Sequence, residues 1–388
     1  MQKFKTIIIG SGAAGCMCAM SSSGNGIAII DKATQVAKKI LVTGNGRCNL
    51  TNTAILQNNF NSNNCTYNTN IDEFFEKVDS KKTLNFFESI GLETHSDEEG
   101  RVYPISNMAK SVQDVMAREV GKKAQVFLSQ KILKIQKMKD YFEITTDSQI
   151  FACQNLVIAT GGNSNEILQD LGEEYKNFSP SLVALKSSKI KDLNGVKISN
   201  AKVRIVSHEI DYAECGEVLY KDGGLSGIVI FNISSLLARK GNYTGKVIID
   251  ILPNISLDDL KVKLTKRKKL NVSLDKIFVG MFVGSLANEI FRQAKVNTNV
   301  NSQNIDENTI SRLAQAIKGL TYKIDGHFDN HQVYSGGVLL KNLDENLMSR
   351  KTKNLYFVGE VCDVDGMCGG YNLQWAFTSG AIVGEKLW

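Results

Sequence analysis

The chain has 388 residues, 43% apolar and 22% charged, with a formal net charge of +6. This composition excludes a disordered, collagenous or disulfide-framed chain and suits two or three globular domains with real cores. Basic and acidic residues interleave except in "KVKLTKRKKL", residues 261–270. That run reads as a solvated helix face, with contact to a polyanion or a cofactor phosphate as the alternative.

"MQKFKTIIIG" does not read as a signal peptide, because its short apolar part leads straight into a glycine loop. The longest apolar run, 277–287, is shorter than the ~20 residues of a membrane span. The eight cysteines, at 16, 18, 48, 65, 153, 215, 362 and 368, form no C-x-x-C, and Cys362 and Cys368 match no redox spacing. Reduced thiols and a cytoplasmic location are therefore expected.

Residues 6–9 are a short β-branched run, expected as a buried parallel strand. Gly10, Ser11, Gly12, Ala13, Ala14 and Gly15 follow, then a small-residue helix stopped near Gly24 and Gly26. A second strand, 27–30, ends at Asp31. Each part has a mechanical reason. Gly10 permits a tight turn, Gly12 lets backbone approach a pyrophosphate, and Gly15 allows close helix–strand contact. The helix N-terminus offers N–H groups to phosphate, and an acid at the distance of Asp31 accepts from ribose hydroxyls. Strand, glycine turn, helix and acid together indicate a dinucleotide, without choosing NAD or FAD.

"KKILVTGNGRCNLTN", 38–52, sets Lys38, Lys39 and Arg47 beside a glycine loop able to wrap a pyrophosphate and ribityl chain. Gly46, Arg47 and Asn49 are its expected contacts, and Cys48 reads as a packed small residue rather than a nucleophile. In "DEEGRVYPISNMAKSV", Arg101 and Tyr103 precede Pro104, and a helix is expected from about Ser106. This segment is either an active-site wall or a plain strand-to-helix loop.

Segments 125–136, 141–146 and 149–153 suggest a β-meander turning at Lys139-Asp140. A buried strand then ends in Ala159, Thr160, Gly161 and Gly162. That pairing of small sheet and A-T-G-G turn favours FAD. Residues 183–250 are strand-rich, and 256–320 carry helical periodicity with Ser256 and Asp306 as N-caps, including "DKIFVGMFVGSLANEIFRQA". "YSGGV", 334–338, begins the return. "LYFVGEVCDVDG" supplies a strand and then Gly359 and Glu360, where a carboxylate near the ribityl or pyrophosphate is expected. Finally Gly369, Gly370, Tyr371, Asn372 and Leu373 open an apolar helix whose N-terminus should face the flavin. Lys32, Ile132 and Asp365 complete the cofactor-binding candidates.

The four histidines, 95, 208, 327 and 331, show neither H-E-x-x-H nor zinc spacing, so no metal is expected. No G-x-S-x-G or P-loop occurs.

The sequence resembles the BaiN-like family of NAD(P)/FAD-dependent oxidoreductases, also called aminoacetone-oxidase-family FAD-binding enzymes. The matching stretches are "GSGAAG", "KKILVTGNGRCNLTN", "GRVYPISNMAKSV", "ATGG", "GGLSG", "YSGGV" and "VGEVCDVDGMCGGYNLQWAFTSG", spread from end to end. The resemblance implies an α/β fold: a discontinuous Rossmann-like FAD-binding domain with an inserted β-barrel-like domain and an inserted helical domain. The expected parts are 1–182 and 326–388 for the cofactor, 183–252 for the β-rich insert and 253–325 for the helical one. Two departures stand out. Gly44-Asn45-Gly46 replaces the family's three glycines, and "YKDGGLSGI" lacks its Thr-His pair. No catalytic residue is assigned.

The implied activity is hydride or electron transfer through the N5 atom of non-covalent FAD, between NAD(P)H or a small donor and a small organic acceptor or oxygen. With a single dinucleotide fingerprint, NAD(P)H would visit transiently. The alternative is a non-catalytic flavin-holding protein that contacts RNA or a protein partner. A third reading, a flavin-dependent tRNA methyltransferase-like protein, lacks the C-x-x-C or thiol context. The expected partner is a small molecule, without membrane or nucleic acid.

Overall fold

A computed structural model describes residues 1–57 and 66–387. Cys65 lies outside the described residues. Two compact units emerge: Met1–Pro180 with the chain from Gln332 onward, and Ser181–His331. Among the described residues, no helix is long and apolar enough to cross a membrane.

The first unit is built on a sheet whose parallel strands are β1 (Gln2–Ile9), β2 (Ile27–Ile30), β3 (Ala124–Phe127), β6 (Ile150–Ile158) and β7 (Leu355–Phe357). Their order is β3-β2-β1-β6, with β7 also beside β6. The antiparallel strands β4 (Ile132–Lys137) and β5 (Phe142–Thr146) attach to the first half of β6. β6 therefore serves both layers: residues 150–153 pair with β5, and 156–158 pair with β7. Three helices matter for the site: α1 (Ala13–Ser21), α2 (Ala109–Lys123) and α3 (Tyr371–Lys386).

Two local expectations are corrected here. Segment 125–136 is not one strand of a meander. It divides, because Ser129 takes a left-handed φ of 54° and its N–H donates to the Ala33 carbonyl. The first piece becomes β3, with Phe127 edge-on to Phe4 and Phe151. The helix expected near Ser106 starts at Ala109, because Asn107 holds φ at 52°.

α3 is buried from Gln374 to Gly384 save for Ala376. It lies on α1 through glycines. A Cβ on Gly380 would stand 2.4 Å from the Ala14 carbonyl oxygen, and one on Gly384 would stand 2.4 Å from that of Cys18. Backbone meets backbone because no side chain intervenes. On its other side Trp375 and Phe377 pack edge-on against Phe74 and Phe87.

Six strands close a barrel in the order Tyr175–Lys186, Gly224–Ser226, Asp211–Lys221, Lys197–Val206, Thr244–Asp250 and Leu320–Val338, the first and last of which run on into the first unit's residues. Helices Ile228–Arg239, Leu257–Lys268, Gly284–Ala294 and Glu307–Ile317 complete the second unit. Barrel residues Val203 and Ile249 share one apolar core with Leu264, Ile290 and Leu313 of the helices. Ser256 and Asp306 cap their helices by accepting from the Asp259 and Thr309 N–H groups. The helical periodicity of 275–294 holds only from Gly284, because Gly280 turns at φ 78° and Arg267 binds the Ile277 and Val279 carbonyls.

Because the α1–α3 contact has no room for a side chain, Gly380→Val should lower stability by about 1–3 kcal/mol through overpacking. Gly121 lies exposed in α2 with open space at its Cβ position, so Gly121→Ala should instead add about 0.5–1 kcal/mol. Urea unfolding of both variants checks the signs. A neutral Gly380→Val would mean the helices are not locked this way.

Candidate cofactor site

The glycine turn after β1 is shaped by three different constraints. Gly10 has φ 108°, and its missing Cβ would lie 2.4 Å from the Ala159 carbonyl oxygen. Gly15 presses on the Gly10 carbonyl, where a Cβ would come within 2.0 Å. Gly12, by contrast, has nothing within 4 Å of its Cβ position. Two of the glycines serve the fold, and the third leaves a cradle open over α1. No side chain caps α1, and the N–H groups of a first helical turn have no intrahelical acceptor. Ala13 and Ala14 begin that turn.

Asp31 braces the turn from β2. Its Oδ2 accepts from the Ser11 N–H and hydroxyl, both at 2.6 Å, and its Oδ1 from the Ala33 N–H at 2.8 Å. The acid expected to face ribose thus also fixes the turn that would hold the phosphates. Lys32 beside it is exposed, and Ile132 stands half-buried at the head of β4, opposite Thr146.

The Ala159–Gly162 turn comes next to both. Thr160 and Ser164 share a hydroxyl hydrogen bond of 2.6 Å, and the Ser164 hydroxyl also donates to the Gly161 carbonyl. Beside Gly161 stand Glu360 Oε2 and Lys39 Nζ, 3.1 and 3.3 Å from where its Cβ would be. Glu360 Oε1 accepts from the Tyr334 N–H at 2.6 Å, and the Tyr334 ring fills the space a side chain at Gly162 would need. Gly359 packs on Ala14; its N–H donates to Ser379 and its carbonyl accepts from the Trp375 indole at 3.0 Å. α3 therefore holds the Gly359 turn as well as α1.

The second glycine turn leads into α3. Gly370 is its N-cap, at φ 101°, and again no side chain caps the helix. The Gly370 Cβ position lies 2.5 Å from the Thr51 backbone, so a larger residue there would break the turn itself. Asn372 keeps the turn closed with both side-chain atoms: Oδ1 accepts from the Gly366 N–H, and Nδ2 donates to the Gly366 carbonyl. Its side chain serves the loop, which leaves its position and that of half-buried Leu373 to offer backbone N–H groups. Asp365 is buried, accepting from the Ser335 hydroxyl at 3.0 Å.

Several of these supports were not visible in the sequence. The Asn52 amide donates to the Gly369 carbonyl, the Tyr67 hydroxyl to the Tyr371 carbonyl, and Asn68 bridges Asp363 and Asp365. The "LTN" that follows "GRCN" was a signal for Asn52. Tyr67 and Asn68 carried none.

Loop 44–49 carries the other expected contacts. Gly46 has φ 81° and Cys48, a non-glycine, has φ 60°. Burial pushes the Cys48 thiol up to about 12, against a hydrogen bond with Thr43, so it remains a thiol at neutral pH. Asn49 Oδ1 is buried without a hydrogen-bond partner. Arg47 is exposed, its guanidinium 4.4 Å over the Tyr103 ring. An open cradle at Gly12, two uncapped helix N-termini and an orphaned amide oxygen make a site whose residues fit a dinucleotide.

The HI0933-like protein Rossmann domain model matches residues 4–386. The chain belongs to this family. Among its relatives, this HI0933-like chain is 31% identical over 409 residues to a 3-dehydro-bile acid delta(4,6)-reductase of Clostridium scindens, covering 97% of each. It is 27% identical over 408 residues to a ribosomal RNA dihydrouridine synthase of Haemophilus influenzae, also covering 97% of each. A 3-ketosteroid delta1-dehydrogenase from Sterolibacterium denitrificans is similar in structure, at TM-score 0.47 and 11% identity, covering 100% of this chain and 99% of that one.

Two outcomes follow from this geometry. Gly12→Val should fold with near-native stability, because φ there is −74° and the space is open, yet fail to bind the dinucleotide. Thermal unfolding and flavin fluorescence test this, and a variant that binds normally would remove the α1 turn from the site. At pH 8 a disulfide reagent should label exposed Cys215 well before Cys16, Cys48 or Cys153, whose thiols burial raises to about 12. Peptide mass spectrometry against time reads the order, and rapid labelling of Cys48 would contradict it.

Proposed function

We propose that this chain is an FAD-dependent reductase that acts on a carbon–carbon double bond conjugated to a carbonyl group. The observation that carries the reading is the open cradle at Gly12, set over the uncapped N-terminus of α1. FAD, when bound, supplies a two-electron carrier between NAD(P)H and the acceptor. The N–H groups at the start of α1 would hold its pyrophosphate, and Asp31 its ribose, while keeping Ser11 in place. Lys39 and Glu360, which flank Gly161, would be charged contacts of the cofactor. The N-terminal N–H groups of α3, near Asn372 and Leu373, would face the pyrimidine edge of the flavin and favour its reduced, negatively charged state. Non-covalent binding fits the buried, protonated thiol of Cys48.

The acceptor class is inferred from the relatives. One is named for reducing a delta(4,6) bile acid and the other for making dihydrouridine. Both names describe hydrogen added across a double bond near a carbonyl. The alternative remains a flavin-holding protein without turnover that contacts RNA or a protein partner, RNA through the basic run 261–270, where Lys261, Lys266 and Lys269 line one groove with Glu307.

The purified protein should be yellow, with one FAD per chain released by heat or acid and identified by mass spectrometry. Anaerobic stopped-flow mixing with NADH or NADPH should bleach the flavin. 2-Cyclohexen-1-one, a 3-oxo-Δ4 steroid or uridine-containing RNA should restore its colour. FMN, a covalent flavin, or a flavin that no nicotinamide bleaches would each defeat the reading. RNA that co-purifies in a salt-dependent way without any turnover would support the alternative.

A further inference from the structure

Three segments converge on Tyr103: loop 44–49, the strand Arg101–Pro104 and the turn before Gly369. The strand pairs Asn52 with Arg101, and Asn52 in turn holds the Gly369 carbonyl, so this corner adjoins the start of α3. Two arginines stand here in different states. Arg101 is neutralised by Asp97, at 2.8 Å, and by Glu99. Arg47 makes no ion pair among the described residues. Its only hydrogen bond there is from Nη2 to the Tyr103 hydroxyl, at 3.4 Å, while the guanidinium carbon stands 4.4 Å from the ring centroid.

An exposed arginine without a carboxylate, held on an aromatic face, is a preorganised receptor for an oxygen anion. Val42 lies five residues before Arg47, and Ile105 and Met108 follow Tyr103; they are 78%, 60% and 57% exposed. Exposed apolar side chains on the segments that carry the unpaired cation and its ring suit a molecule with an apolar body and one polar oxygen.

We propose that Arg47 binds the carbonyl oxygen of the acceptor, with Tyr103 as the positioning residue beneath it. The proposal rests on the reductase reading above. Hydride added to the β-carbon drives the double-bond electron pair toward the carbonyl oxygen. Arg47 offers two N–H donors to the resulting enolate oxygen. A proton from water then adds at the α-carbon and completes the saturated ketone. The electron pair originates in NAD(P)H. The charged and titratable groups around Tyr103 are Arg47, Arg101, Asp97, Cys368 and His95. Burial raises the Tyr103 hydroxyl above its ordinary value, against the fields of the two arginines, so it stays protonated and neutral beneath the cation.

The test uses 4-nitrophenolate, whose charged oxygen sits on an sp2 carbon as in an enolate. It is titrated at pH 8 into the FAD-loaded protein and followed by the long-wavelength absorption of a phenolate over oxidised flavin. In protein that is flavin-replete, Arg47→Gln should raise the dissociation constant at least tenfold, and Arg47→Lys should recover part of the loss. Tyr103→Phe, which keeps the ring, should change binding less than threefold, whereas Tyr103→Leu should weaken it by more. A flavin-replete Arg47→Gln that binds the probe as the wild type does overturns the assignment, as does a wild type that does not bind it. Loss of FAD from Arg47→Gln would make Arg47 a cofactor ligand instead. A wild type without flavin would defeat the reductase reading itself, which separates the two failures.

Discussion

The backbone contact between α3 and α1 governs this site. Gly380 and Gly384 let the last helix settle onto the first at a distance that any side chain would forbid. Everything that α3 carries is thereby placed against the fingerprint turn. Trp375 and Ser379 grip the Gly359 peptide, Gly359 meets Ala14, and Gly370 meets Thr51. Close-packed interiors transmit such constraints with little give. A shift of one helix would move both glycine turns and the carboxylate of Glu360 together.

A second layer of support comes from polar groups at large sequence separation. Asp31 reaches back to Ser11, Asn52 across to Gly369, and Tyr67 to Tyr371. Each is a part-buried hydrogen bond between distant loops, and such a bond contributes about 0.5–1.5 kcal/mol. The loops need these ties because they lack regular ladders of their own. The same ties explain why Asn372 contributes geometry rather than a side chain: both ends of its amide are already used.

How far the sequence reveals this depends on the range of the constraint. The turn at residues 10–15 is legible because spacing of glycines, flanking strand and downstream acid are all local. So are the caps at Ser256 and Asp306. β3 was not legible, since Phe127 joins the parallel sheet through contacts with Phe4 and Phe151 that no local pattern encodes. The late start of α2 turns on one backbone angle at Asn107. Gly380 and Gly384 look like ordinary small residues in an apolar helix until their partner is known. The stack of Arg47 on Tyr103 joins residues from different loops, and its meaning appears only beside the paired state of Arg101.

α1 and α3 are separated by more than three hundred residues, yet each is the other's packing surface. At about 5–20 residues per second, a ribosome needs tens of seconds to pass from one to the other. Through that interval the glycine turn at residue 10 exists without the helix that pins it, and the apolar side of α1 has no cover. Packing of the glycine turn is thus timed by translation: the turn at residue 10 gains its support only after helix Tyr371–Lys386 has been made.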